Sequence, residues 1–101
     1  MEYEDARGSV PFRAWIDSLK DVRVKAKIDA RLLRLRLGNF GDAKPVGDGV
    51  CELRIDHGPG YRIYYGLDGA RLVVLLAGGD KASQRADITK AKTYWASYRG
   101  R

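Results

Sequence analysis

Phe12, Trp15, Ile16 and Leu19 recur at the i, i+3, i+4, i+7 spacing of one helix face, which predicts a first helix. Ser9 can cap its start, and Pro11 suits a first turn, where a missing N–H costs nothing. Asp21 stands where a second N-cap belongs, and Val24, Ile28, Leu32 and Leu35 form the next apolar stripe. Gly38 and Asn39 end that helix with residues that tolerate positive φ. Residues 39–48, NFGDAKPVGD, read as a loop from their Gly, Pro and Asp content. Beyond them the period changes to two. Cys51, Leu53 and Ile55 alternate with Glu52, Arg54 and Asp56, and Tyr61, Ile63 and Tyr65 alternate with Arg62 and Tyr64. HGPG at 57–60 joins these two strands, and Asp68-Gly69 is a two-residue hairpin signal. ARLVVLLAG at 70–78 is nearly all apolar, as expected of a central strand covered on both faces. Gly78-Gly79 closes it, Asp80 or Ser83 can cap a last helix, and Ile88, Ala91, Trp95 and Tyr98 line that helix.

The order is a short N-terminal segment readable as an edge strand or a tail, two helices, three antiparallel strands and a C-terminal helix. This is an α+β arrangement with the helices on one side of a small sheet. Trp15 and Trp95 are the natural anchors between helices and sheet. Glu52, Arg54, Arg62 and Tyr64 would then stand in the open on the other face.

Composition narrows the function. The chain has 101 residues, which suits one domain spanning 1–101. Nineteen Lys and Arg against thirteen Asp and Glu leave a net charge of +6, pointing to a polyanionic partner. One cysteine, Cys51, permits no internal disulfide and fits a reducing compartment. The acidic start MEYEDARGSV lacks the apolar stretch of a signal peptide, and no run is long enough to span a bilayer, so a cytoplasmic protein without membrane contact is expected. One His and one Cys are too few for a metal site, and no glycine-rich phosphate loop is present, so neither metal nor small-molecule cofactor is expected. A Cys–His nucleophilic pair fails as well, because Cys51 falls on the apolar side of its strand.

The cations form two sets. Arg23, Lys27, Arg31 and Arg34 make one stripe on the second helix, either a solvated face or a track for a phosphate backbone. Arg54 and Arg62 fall on neighbouring strands, with Lys81 and Arg85 just past the third strand and Lys44 in the preceding loop. Glu52, Asp56 and Asp80 are near enough to neutralise them as structural ion pairs. Left unpaired, the cluster suits phosphate recognition and stabilisation of transition-state charge. Tyr64, between the arginines, is either an ordinary strand aromatic or a base-stacking phenol.

The segments GNFGDAKPVGDGVCELRI, GPGYRIYY and GGDK, in this order and spacing, resemble the HigB-like branch of the RelE/ParE toxin superfamily, the addiction-module killer proteins. The resemblance runs from FRAWIDSL to DITKAK. It implies a helical hairpin packed on an antiparallel sheet and the toxin of a type II toxin–antitoxin pair. It further implies a metal-independent, ribosome-dependent mRNA endonuclease, in which an RNA 2′-hydroxyl attacks its own 3′-phosphate to leave a 2′,3′-cyclic phosphate. Arg54, Arg62 and Lys81 match the basic positions that stabilise charge and assist proton transfer. The base is not fixed by the match: Tyr64, Asp87 and Glu52 are candidates, and His57 in its turn is another. The implied partners are a helix-turn-helix antitoxin of the HigA type, the ribosome and mRNA. The alternatives are a non-nuclease inhibitor of DNA gyrase, as in the ParE members, or a degenerate toxin that only binds its antitoxin.

Overall fold

The computed structural model describes residues 1–70 and 72–100; Arg71, within the third predicted strand, lies outside the described residues. Pro11–Ser18 form α1 and Val22–Arg36 form α2. Val10, with no side-chain hydrogen bond, stands at the N-cap of α1 in place of Ser9, whose N–H donates to Asp5 Oδ1 at 2.9 Å. Pro11 sits in the first turn as expected. Asp21 caps α2 by accepting from the Arg23 N–H at 2.9 Å. Beyond α2 Gly38 turns to φ +87°, and the Asn39 N–H returns to the Arg34 carbonyl at 2.9 Å.

Four strands come next, one more than the sequence pattern predicts: β1 Ala43–Gly47, β2 Val50–Ile55, β3 Tyr61–Asp68 and β4 Leu72–Asp80. They lie in sequence order, each antiparallel to the next. The extra strand, β1, falls in the segment read as loop. Pro45 is tolerated there because β1 is an edge, and the register shifts between Pro45 and Gly47. Asp48 and Gly49, at φ +56° and +83°, make the two-residue turn that returns β1 onto β2. The β3–β4 turn is wider than the Asp68-Gly69 form, since Asp68 pairs with Leu72. β4 ends the four-strand order and is not central to it. Its free side is met by the N-terminal segment through a single parallel bridge, Glu2 to Leu75.

The helices do not share one side of the sheet. One face packs Leu53, Ile55, Ile63, Tyr65, Val73 and Leu75 against Phe12 and Ile16 of α1 and the Val24, Ile28, Leu32 and Leu35 stripe of α2. The other face packs Val50, Tyr64, Val74, Leu76 and Ala77 against Tyr3 and against Ala91 and Trp95 of α3, Gln84–Arg99. The apolar run of β4 is therefore covered on both faces, as its composition demands. Both tryptophans serve as anchors. A Cβ at Gly78 would overlap the Trp15 ring, and one at Gly66 the Trp95 ring, so these glycines let each helix approach the sheet closely.

Candidate nucleic-acid interface

Strand register builds the site. Arg54 pairs directly with Arg62, and Arg62 with Gly79; one step along the same face, Lys44 pairs with Glu52, Glu52 with Tyr64, and Tyr64 with Ala77. The alternation argument thus places Arg54, Arg62, Glu52 and Tyr64 on one face correctly. It does not leave that face open. α3 lies across it, and Glu52 and Tyr64 are both 0% exposed and Arg62 only 6%. Arg54, nearer the sheet edge, remains exposed.

Under the start of α3 these buried groups form a polar cluster. Arg62 Nε lies 3.6 Å from Glu52 Oε1, and Gln84 Nε2 donates to Glu52 Oε2 at 2.9 Å. Arg62 Nη1 also donates to the Gly60 carbonyl at 3.4 Å. The Tyr64 hydroxyl is buried without a hydrogen-bond partner, as are Glu52 Oε1 and Arg62 Nε, which face each other as an ion pair only. Burial, reinforced by the nearby Glu52 and Asp87 carboxylates, pushes the Tyr64 phenol well above its ordinary range. Asp87, in the first turn of α3, is buried and accepts from the Ser83 hydroxyl. Ser83 in turn donates its N–H to Asp80 Oδ1 at 3.1 Å. A Cβ at Gly79 would collide with both Asp87 and Ser83, so this glycine admits the helix start against the sheet. Lys81 and Arg85, exposed, bracket that start.

Arg54 and Arg62 line a cleft of about 330 Å³ together with Asp42, Ile55, Asp56, Gly60 and Tyr61. A second cleft of about 260 Å³ shares Ile55 and Asp56 with it and is lined on its far side by Lys27, Ala30, Arg31 and Arg34 of α2. The two cation sets met separately in the sequence are therefore neighbours across one saddle.

The α2 stripe is not uniform. Lys27 and Arg34 are exposed, whereas Arg31 is half-buried, donates from Nη1 to the Arg54 carbonyl at 3.0 Å and packs Nη2 beside Gly41. Arg31 thus ties the helix to the end of β2. Arg23 stands outside both clefts, beside its cap partner Asp21 at 3.5 Å. His57 Nε2, also outside them, lies 3.6 Å from Asp21 Oδ2 and fastens its turn to the start of α2. The Arg23 backbone N–H, then the Arg23 guanidinium, holds the Asp21 carboxyl below its usual range. Lys44, on the edge strand, is exposed. Asp42 and Asp56 line the cleft as carboxylates but are not among the bases that the sequence suggests. Asp56 was legible as the polar residue just past β2, but Asp42 has no sequence signal.

An antiparallel sheet covered by helices on both faces, with Arg54 and Arg62 paired at one sheet end, defines a small basic α+β protein with an open cleft beside those arginines. The chain belongs to the phage-derived protein Gp49-like family (DUF891), which matches residues 14–96. This is a toxin-like family of the RelE/HigB type, associated with the toxins of toxin–antitoxin systems, and such membership points to an antitoxin partner. A protein of Haemophilus influenzae described as uncharacterized is 54% identical over 84 residues, covering 83% of this chain and 85% of its own. No solved structure matches the chain. Among the described residues no helix is long and apolar enough to cross a membrane.

Proposed function

We propose that this protein is the toxin of a type II toxin–antitoxin pair of the HigB kind, acting in the cytoplasm as a ribosome-dependent mRNA endonuclease. The observation that carries this reading is Arg54 facing Arg62 across β2 and β3 on the wall of one open cleft. Two guanidiniums at one phosphate stabilise the charge that grows on its oxygens as the neighbouring 2′-hydroxyl attacks and the 5′-oxygen leaves. Lys81, exposed past β4, serves the leaving oxygen as proton donor. Lys27 and Arg34, with the second cleft, extend the phosphate track, and Lys44 and Arg85 add positive charge around the site.

Burial reassigns the base candidates. Tyr64 and Glu52 lie beneath α3 and Asp87 is buried in its first turn, so we read all three as support for the site, while Asp42 and Asp56 share the cleft with Arg54 and become the candidates to accept the 2′-hydroxyl proton. Inducing the protein in a host and mapping mRNA 5′ ends tests the reading. Cleavage lost on Arg54→Ala, with the fold kept because Arg54 is exposed, is the expected result. Intact transcripts with folded, antitoxin-free protein would overturn it. The same burial of three base candidates favours a second reading, a non-nuclease inhibitor acting on gyrase; induction would then give DNA-damage signalling with intact transcripts. The proposed partner is a helix-turn-helix antitoxin of the HigA type.

A further inference from the structure

We propose that Glu52 is a positioning residue, whose buried carboxylate fixes the Arg62 guanidinium on the cleft wall and is itself fixed by Gln84 of α3. This rests on the nuclease reading. Glu52 is wholly buried at 0% exposure, and a carboxylate in that setting persists only when paired. Its partners are few. Gln84 donates a hydrogen bond to Oε2 from the helix side, and Arg62 Nε stands 3.6 Å from Oε1 as an ion pair without a hydrogen bond. Tyr64, its cross-strand partner, packs beside it as a phenol that burial and the nearby carboxylates keep neutral. Arg62 is thereby flanked on its Nε side by the Glu52 charge at ion-pair distance and anchored by the hydrogen bond from Nη1 to the Gly60 carbonyl, and yet lines the cleft with Arg54.

The pairing is poor as a device for stability alone. A buried ion pair is commonly matched or bettered by apolar side chains of similar volume. Arg54 directly opposite Arg62 adds like-charge repulsion, which Glu52 on the same face offsets. A guanidinium pinned in place before substrate arrives loses no conformational freedom when the phosphate binds, and this is what a charge-stabilising group requires. The chain of contacts also makes the docking of α3 a condition of Arg62 geometry, because Gln84 stands in the first turn of that helix.

The test uses the full protein with ribosomes programmed with mRNA, reading kcat and KM per folded molecule. Glu52→Gln is expected to lower kcat by about 10- to 100-fold with KM within about twofold, since Arg54 and the α2 cations still bind. Gln84→Ala is expected to shift kcat in the same direction and less. Glu52→Gln added to Arg62→Gln is expected to lower kcat no further than Arg62→Gln alone. An unchanged kcat per folded molecule in Glu52→Gln overturns the inference. If that variant does not fold, wild-type kcat in Gln84→Ala overturns it instead. Wild-type protein that leaves ribosome-bound mRNA intact removes the nuclease reading itself, and the inference with it, an outcome visible before any variant is made.

Discussion

The two faces of the sheet are built on different terms. Toward α1 and α2, Leu53, Ile63, Phe12, Val24 and Ile28 close a core of apolar side chains, most of them wholly buried. Toward α3, the core begins in the same way around Trp95, Val74 and Leu76, but at its other end it encloses Glu52, Arg62 and Asp87. A small domain has little stability to spare. Charged groups enclosed in one face gain less from burial than apolar ones, and on the proposed reading the polar cluster serves the cleft.

Substitutions can separate these terms, and the largest effect is expected where either face loses a central group. Leu53→Ala should cost roughly 3 kcal/mol by cavity formation, and Arg62→Ala, which strands the buried Glu52 carboxylate, roughly 3–5 kcal/mol. Urea unfolding reads both, and an Arg62→Ala variant as stable as wild type would break the comparison. This also makes Arg54→Ala the cleaner probe of activity. Gly79→Ala should cost about 1–3 kcal/mol by forcing Asp87 and Ser83 away from the sheet, and Tm should fall accordingly. Replacing the pair together, Glu52→Leu with Arg62→Met, should restore stability to within about 1 kcal/mol of wild type while cleavage stays lost. Recovery of cleavage in that double variant would show that the polar end is not needed for function.

A milder effect comes with pH. Burial, with the neighbouring Cys51, pushes the Tyr65 phenol from its usual 10.0 up to about 12, and Tyr64 moves in the same direction through burial and the nearby carboxylates. The folded state therefore holds these protons where the unfolded chain releases them. Their neutral forms leave stability unaffected below pH 10, and stability should fall as pH rises from there toward 12. Tyrosinate absorbance should show two late-titrating phenols that ionise together with unfolding. The smallest change is Tyr64→Phe. The hydroxyl has no hydrogen-bond partner, so its removal should alter stability by less than about 1 kcal/mol.

Much of this was readable from residue order. Helix faces, the Asp21 cap, the alternation in β2 and β3, and the shared face of Arg54 and Arg62 on neighbouring strands all follow from local periodicity, which burial enforces residue by residue. β1 was missed because Pro45 and the flanking glycines resemble a loop, although Asp48-Gly49 carried the hairpin signal that would have revealed it. The openness of the Arg62 face was misjudged for a different reason. Period-two alternation says which residues share a face, but not what covers it, and Glu52 has the same pattern whether it meets water or a helix. The apolar run of β4 and the small Gly78-Gly79 pair were the available signs that helices approach from both sides. Asp42 joins the cleft only through tertiary packing, which no local pattern encodes.

The order of the strands has a kinetic consequence. Each strand of the sheet neighbours the one before it in the chain, so the sheet can grow hairpin by hairpin with short loop closures. Such local connectivity places folding on the order of milliseconds. The N-terminal segment is the exception. Its Tyr3 N–H reaches the Leu75 carbonyl at 2.9 Å, a contact that waits until β4 has been made. The meander with its arginine pair can assemble first, and the seam along β4 closes last.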